Sequence, residues 1–168
     1  MTAIEYGNDI IVVDCGSMFP KEDLYGIDLV IPDVSYLEKN ADKLRGFIIT
    51  HGHEDHIGAI PYVFKQVNAP IYCTKLTQAL IENKLKENRM QNLVKINCIQ
   101  AKDIVKIGCF TIEFIKTNHS IAGAVALAIT TPIGVVIHTG DFKVDYTPVD
   151  GEVIDLASFA RYGEKGVL

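Results

Sequence analysis

The sequence predicts one domain of the α/β or α+β class, with sheets flanked by helices. Up to residue 90, apolar runs of strand length alternate with stretches of helical spacing. After residue 90 the hydrophobic period changes to two, which is typical of strands in quick succession. The 168 residues are enough for one domain with a sizeable core, and 48% of them are hydrophobic, as in ordinary globular chains.

The first third of the chain is predicted to hold a hairpin, a loop and a short strand. A Gly-Asn pair inside the apolar stretch 4–14 is the usual signal for a two-residue hairpin turn. Residues 14–28 have loop composition. Residues 29–33 are expected to form a short strand that Pro32 ends, because proline has no backbone N–H to donate.

A short helix and a buried strand are predicted next. Ser35 and Glu38 have the spacing of a capping box, which favours a helix running through Leu44. The apolar run 46–50 has strand length. Helical spacing follows over 56–67, with a proline close to its start.

The second half is predicted as a strand, a long helix, five more strands and a last helix. Residues 69–74 form the strand, and 75–90 have the clearest amphipathic helical pattern of the chain. Residues 155–163 suit a final helix that Gly163 ends. The five strands that follow residue 90 are 94–99, 103–108, 109–117, 125–131 and 134–141.

Composition and charge exclude several classes of protein. No apolar run approaches the roughly 20 residues of a membrane helix, and the N-terminus lacks a secretion signal, so we expect a cytoplasmic protein without a membrane partner. The formal net charge of −5 argues against tight binding of a polyanion by this chain alone. The four cysteines are scattered and are expected to be reduced thiols; they are Cys15, Cys73, Cys98 and Cys109.

The segment 48–62 contains three of the five histidines within six positions. Neutral imidazoles and carboxylates are the ligands that divalent metals of intermediate softness prefer. In an extended loop, residues two apart point the same way, so His51 and His53 can hold one ion. Asp55 and His56 come at the start of the following helix and can serve a second ion.

Two later strand ends can supply further ligands. His119 follows the strand 109–117, and Asp141 ends the strand 134–141. We expect His119 to complete the histidine set of the first ion and Asp141 to bridge both ions. The sequence therefore predicts two divalent cations, zinc in the first place, with manganese as the alternative.

Other polar residues near these segments have two interpretations. Glu54 is expected in solvent or behind the ligands, and His138 is expected to be structural because it lies inside a strand. Asp14 ends a strand that can lie beside the site. It either orients a ligand imidazole through a hydrogen bond or caps the turn at Gly16, and the sequence does not decide between these roles.

The motif over 50–56, THGHEDH, resembles the HxHxDH signature of the metallo-β-lactamase superfamily. Flanking segments in matching order narrow the resemblance to the β-CASP nuclease group, and within it to the bacterial ribonuclease J family. These segments are 13–20, 31–40, 49–64, 118–129 and 138–156.

The resemblance implies a four-layer αβ/βα sandwich and RNA phosphodiester hydrolysis, by 5′-to-3′ exonuclease and endonuclease action in RNA maturation and decay. It implies His51, His53 and His119 on one metal, with Asp55 and His56 on the other. Asp141 would bridge the metals, and Asp14 would support the ligands from outside. Asp55 and Asp141 would also orient the attacking water, which makes them the catalytic residues.

The chain also departs from that family. The β-CASP insert, the closing lactamase segment and their later histidines have no counterpart in the sequence, so residues 1–168 are expected to be the N-terminal portion of a metallo-β-lactamase domain. We therefore expect one metal bound well, a second bound poorly, and weak or absent RNA cleavage by this chain alone. The family is usually oligomeric, which makes a homo-oligomer a further expectation, with contacts largely in the absent segments.

Three alternatives remain on the same scaffold. A di-iron oxidoreductase typically has Glu where this chain has His53. A thioesterase-like hydrolase would cleave small thioesters and leave RNA intact. A non-catalytic remnant would keep the ligands by descent alone. Metal content and RNA cleavage distinguish the three from a ribonuclease.

Overall fold

The computed structural model describes residues 1–21 and 25–168, so the centre of the predicted loop 14–28 lies outside the described residues. The first sheet has five strands in the order β1-β2-β3-β4-β5, with β1 antiparallel to β2 and the other neighbours parallel. Its strands are β1 (Thr2–Tyr6), β2 (Asp9–Val13), β3 (Leu44–Ile48), β4 (Ile71–Thr74) and β5 (Ile96–Ile99).

The second sheet is antiparallel, with the order β6-β7-β8-β9. Its strands are β6 (Ile104–Ile107), β7 (Phe110–Lys116), β8 (Val125–Thr131) and β9 (Gly134–His138). Two-residue turns join β6 to β7 and β8 to β9, whereas residues 117–124 form a longer loop between β7 and β8.

Five α-helices are present in the described part of the chain. The longest spans 13 residues, and no described helix combines the length and hydropathy needed to cross a membrane. The helices are α1 (Ser35–Lys39), α2 (Glu54–Ile57), α3 (Ile60–Val63), α4 (Lys75–Glu87) and α5 (Leu156–Lys165).

Side chains that alternate along β2 show how the layers stack. Ile10 and Val12 belong to the core shared with the helices, whereas Ile11 and Val13 belong to the core between the two sheets. The outer face of the second sheet packs against α5 through Phe159. The layers are therefore helices α1 to α4, the first sheet, the second sheet and α5, which confirms the predicted four-layer αβ/βα sandwich.

The predicted hairpin, the strand 69–74 and the amphipathic helix are confirmed, and a short helix is present where the Ser35 and Glu38 spacing predicted one. The strand over 29–33, and the cap and the end of that short helix, were predicted wrongly. Residues 29–33 form no regular strand. Val30 makes one isolated bridge with Met18, and Pro32 has no backbone N–H with which to extend the pairing. Ser35 is the first residue of α1 and not its N-cap, and its backbone N–H donates to the Asp33 carboxylate at 2.9 Å. Leu44 starts β3 and is not helical.

Two predicted helices also have different bounds. The helix expected over 56–67 begins earlier, at Glu54, and is split into α2 and α3. Pro61 explains the split, since its ring would clash with the carbonyl four residues before and it offers no N–H. The last helix runs through Gly163 and ends at Lys165; the next residue, Gly166, has a φ of 84°, which suits a glycine that follows a helix.

Candidate metal centre

The histidine-rich loop leaves the end of β3 and enters α2. The loop carries three imidazoles, and it starts at the sheet edge where β2 also ends. There the backbone N–H of Asp14 donates to the carbonyl of Ile48 at 2.9 Å. His51 is fully buried, and His53 and His56 are half-buried. The loop therefore places its imidazoles side by side at the carboxyl end of parallel strands, where sites of α/β sheets form.

Three imidazoles form the first potential metal-binding group. One nitrogen each from His51, His53 and His119 lies within 4.8 Å of the others. The His51 Nε2 and His53 Nδ1 atoms are 3.1 Å apart, and the ring of His119 lies 4.8 Å from that of His51. His119 follows β7 of the second sheet, so the group joins both sheets.

A second group contains His51, His56 and Asp141, whose ligand atoms also lie within 4.8 Å. Asp141 Oδ2 is 3.5 Å from His56 Nε2 and 3.8 Å from His119 Nε2, so this carboxylate lies between the two groups. Asp55 is outside both groups, but its Oδ2 lies 3.6 Å from His56 Nε2. His51 belongs to both groups, a sharing that the sequence did not predict.

The donor set fits divalent cations. Nitrogens and carboxylate oxygens face one another with separations that a cation can fill, and imidazoles this close gain little from one another without one. The Asp55 and Asp141 side chains are 65% and 48% exposed, so the site opens to solvent on their side. Assignment of individual ligands stays a prediction.

Asp14 accounts for the orientation of His56. Its carboxylate accepts a bond of 2.8 Å from His56 Nδ1 and another of 2.8 Å from the Thr50 backbone N–H. The Thr50 hydroxyl also lies 3.0 Å from Asp14 Oδ2. With Nδ1 of His56 bonded to Asp14, Nε2 of His56 faces Asp55 and Asp141. That Asp14 orients a metal ligand stays a prediction.

A tight backbone contact holds α2 against the loop after β2. The N–H of Cys15 bonds the carbonyl of His56 at 2.8 Å, and the N–H of Ser17 bonds the carbonyl of Glu54 at 3.1 Å. A Cβ at Gly16 would lie 1.5 Å from the carbonyl oxygen of Asp55. Sequence reasoning treated Gly16 only as a turn; such a contact between distant segments leaves no local signal.

The imidazoles of His51 and His56 have opposite protonation preferences. Burial, and next the neighbouring His56, lower the pKa of His51 to about 4, so this ring is neutral at pH 7. Burial also lowers the pKa of His56, but the bond and charge of Asp14, with the charges of Asp55 and Asp141, outweigh it and raise that pKa above its ordinary value. A cation at His56 must therefore displace a proton more often than one at His51.

Glu54 and His138 lie outside both groups. The exposed Glu54 carboxylate pairs with the Lys84 ammonium at 2.8 Å. His138 is half-buried in β9, and its Nδ1 accepts from the backbone N–H of Gly140 at 3.2 Å.

A match to known families decides the classification. The family model described as the metallo-beta-lactamase superfamily matches residues 1–162. The chain belongs to the metallo-beta-lactamase superfamily. The chain is also similar to solved structures of low sequence identity. One is a protein of unknown function from Enterococcus faecalis V583, with a TM-score of 0.64 and 20% identity, covering 84% of this chain and 40% of that chain.

Another is the metallo-beta-lactamase fold protein YhfI from Bacillus subtilis, with a TM-score of 0.57 and 23% identity, covering 83% of this chain and 53% of that chain. At these identities the two structures support the metallo-beta-lactamase fold alone.

Curated relatives within the superfamily share the name ribonuclease J. The protein from Synechocystis is 48% identical over 98% of this chain and 26% of its own length, and the one from Helicobacter pylori strain 26695 is 48% identical over 100% of this chain and 24% of its own. Ribonuclease J2 from Bacillus subtilis is 39% identical over 98% of this chain and 30% of its own length. The chain thus spans about a quarter of the length of these relatives.

Proposed function

We propose that this chain carries the dinuclear metal centre of a ribonuclease J-type enzyme, which hydrolyses RNA phosphodiester bonds. One observation carries the proposal: four imidazoles and two carboxylates from distant segments converge at one sheet edge. They do so in a chain 48% identical to proteins named ribonuclease J. The geometry supports the metal centre, and the identity to proteins named ribonuclease J supports RNA as the substrate.

The ligand assignment that we propose follows the first group, and for the second cation it adds Asp55, which lies near His56 but outside both groups. His51, His53 and His119 hold the first cation. His56 and Asp55 hold the second cation, and Asp141 lies between the two positions. Zn²⁺ suits this mixture of imidazole and carboxylate, and Mn²⁺ is the alternative.

Three of the proposed ligands have further roles in the proposed reaction. When bound, such ions lower the pKa of water and neutralise charge on a phosphate. Asp55 and Asp141 are both exposed enough to accept hydrogen bonds from the attacking water and thereby aim it at phosphorus. His51, neutral at pH 7, contributes a lone pair without competition from a proton.

The substrate class, location and assembly follow from the same similarity. Cleavage by 5′-to-3′ exonuclease and endonuclease action, in the cytoplasm and by a homo-oligomer, is part of the proposal. The net charge of −5 offers few phosphate contacts, so we propose that this chain binds RNA weakly and that the metals supply most of the attraction.

Metal titration tests the centre itself. We expect the purified chain to bind two equivalents of Zn²⁺, one tightly and one weakly, by equilibrium dialysis with elemental analysis. His51→Ala should reduce the binding of both equivalents of Zn²⁺, because His51 belongs to both groups. His53→Ala should reduce the binding of the tight equivalent. Glu54→Gln is the matched control, since this neighbouring carboxylate pairs with Lys84. Unchanged stoichiometry in His51→Ala would contradict the proposed centre.

RNA cleavage tests the substrate class. With the chain in excess over end-labelled single-stranded RNA and Zn²⁺ or Mn²⁺ present, we expect slow cleavage to products that carry a 5′-phosphate. A chelator or Asp141→Asn should abolish it, and Glu54→Gln should leave it unchanged. A cation-loaded chain that hydrolyses small thioesters and leaves RNA intact would overturn the ribonuclease proposal in favour of a thioesterase-like enzyme.

A further inference from the structure

Thr50 lies between the Asp14 carboxylate and the imidazole of His51, a proposed ligand. Its side chain is 1% exposed, so water does not compete for its hydroxyl. The Thr50 Oγ1 atom lies 3.0 Å from Asp14 Oδ2 and 3.0 Å from His51 Nδ1. Thr50 is therefore the link between the Asp14 carboxylate and the imidazole that both metal groups share.

The backbone of Thr50 is held on both sides, so its hydroxyl has little freedom to move away. Its N–H donates to Asp14 Oδ1 at 2.8 Å, and its carbonyl accepts from the N–H of Val125 at 3.0 Å. Its Cβ also lies 3.1 Å from the point where a Cβ at Gly140 would stand, which shows how closely the segment before Asp141 packs on it.

Proton counting sets the direction of the two hydroxyl contacts. A hydroxyl has one proton to donate, and an ionised carboxylate can only accept. The Thr50 hydroxyl therefore donates to Asp14 and must accept from Nδ1–H of His51. That leaves the lone pair of His51 on Nε2, the atom that lies 3.1 Å from His53 Nδ1 inside the first group.

We propose that Thr50 is a positioning residue that holds His51 in the Nδ1-protonated tautomer, so that Nε2 is the donor presented to the cations. Asp14 then orients two ligands at once: His56 through a direct bond, and His51 through the Thr50 hydroxyl. The tautomer is a property of the metal-free chain, whereas its effect on affinity rests on the proposed metal centre.

Long-range ¹H–¹⁵N NMR of the metal-free chain at pH 7.5 reads the tautomer directly. We expect His51 to be Nδ1-protonated in the wild type and in Thr50→Ser, which keeps the hydroxyl and loses the methyl. Thr50→Val keeps the methyl and loses the hydroxyl, and should shift His51 toward the Nε2-protonated form. An Nε2-protonated wild type, or an unchanged tautomer in Thr50→Val, would overturn the proposal.

Zn²⁺ affinity gives the second readout. Groups that orient a metal ligand typically account for about 10- to 100-fold in affinity, so Thr50→Val should bind the tighter equivalent weaker by about that factor. Thr50→Ser should stay within about threefold of wild type, because the expected loss belongs to the hydroxyl.

Thr117→Val is the matched control. Thr117 is equally buried and lies two positions before His119 in the chain, but its hydroxyl has no hydrogen-bond partner among the described residues. It should bind Zn²⁺ as the wild type does. Equal loss in Thr50→Ser and Thr50→Val would assign the effect to packing and refute the hydroxyl role. A wild-type chain with the expected tautomer but no Zn²⁺ affinity would refute the metal centre and leave the tautomer assignment standing.

Discussion

Asp14 and His56, 42 positions apart in the chain, are joined by a hydrogen bond of 2.8 Å between a carboxylate oxygen and Nδ1. Asp14 makes this bond from a left-handed backbone conformation, with φ of 60°. Few side chains adopt that conformation without strain, and aspartate and asparagine are among them. Asparagine can adopt the same backbone conformation, so Asp14→Asn removes the charge of the carboxylate without straining the backbone.

Asp14→Asn should weaken the second cation more than the first. The substitution keeps the backbone conformation but removes the charge and one acceptor that orient His56. We expect a loss of about 10- to 100-fold in affinity for the weaker equivalent of Zn²⁺, measured by calorimetric titration. Asp33→Asn, an exposed carboxylate at the start of α1, is the control and should titrate as wild type. Equal affinities for Asp14→Asn and wild type would show that Asp14 does not orient a ligand.

Gly16→Ala should destabilise the chain and loosen α2. The added methyl would meet the Asp55 carbonyl oxygen at 1.5 Å, and a backbone atom cannot rotate away as a side chain can. We expect a loss of about 1–3 kcal/mol in the free energy of unfolding. The weaker equivalent of Zn²⁺ should also be lost, because Asp55 and His56 move with α2.

Gly163→Ala is the counterpart, since a Cβ there meets nothing within 4 Å and the residue is helical. It should stabilise the chain by about 0.4–1 kcal/mol. Urea unfolding measures both variants. A Gly16→Ala chain as stable as wild type would mean that the loop and α2 are not in close contact.

Asp155→Ala should destabilise the chain near neutral pH and lose that effect in acid. Burial raises the pKa of this N-cap carboxyl, but bonds from the hydroxyl and N–H of Ser158 outweigh it and hold the pKa below its ordinary 3.8. Because the folded pKa is lowered, the stabilisation is present above pH 3.8 and is lost as the pH falls through the folded value.

The expected cost of Asp155→Ala is about 1 kcal/mol at pH 7, with a smaller difference from wild type at pH 2 to 3. Glu164→Ala, an exposed carboxylate of the same helix, should show no such pattern. Chemical unfolding at the two pH values provides the comparison. A difference that grows in acid would contradict the cap.

Cys98 should react with iodoacetamide far faster than Cys73, its neighbour across β4 and β5. Cys98 is exposed, whereas Cys73 is fully buried and burial raises the pKa of its thiol to about 12. At pH 8 a thiol of that pKa is about 10⁻⁴ ionised, and only the thiolate reacts. Peptide mass spectrometry should find early label on Cys98 and label on Cys73 only after unfolding. Rapid modification of Cys73 in the folded chain would contradict the packing of β4 against the helices.

Leu127→Ala should test the core between the sheets. Leu127 is fully buried in β8, and truncating such a side chain costs about 2–5 kcal/mol through lost burial and the cavity left behind. Ile133, 66% exposed in the turn before β9, is the control, and Ile133→Ala should change stability by less than about 0.5 kcal/mol. Denaturant unfolding at pH 7 compares the two. Similar effects for both would mean that the sheets do not pack face to face.

Local patterns predicted most elements and part of the site. The period of two located the strands of the second sheet, because alternate residues of each strand face different layers. The spacing of His51 and His53 predicted neighbouring imidazoles for the same reason, and His51 Nε2 lies 3.1 Å from His53 Nδ1. Helix ends were predicted less well. Pro61 splits one predicted helix into two, and the last helix continues beyond Gly163, where it was predicted to end.

Contacts between distant segments were decided only by the tertiary structure. Strand ends suggested that His119 and Asp141 could join the cluster, but the packing of the second sheet on the first sets their distances. The links from Asp14 to His56 and through Thr50 to His51 need β2 and β3 to end side by side. A sequence records which groups can donate and accept, whereas the fold determines which of them lie within reach of one another, because hydrogen bonds act over about 3 Å.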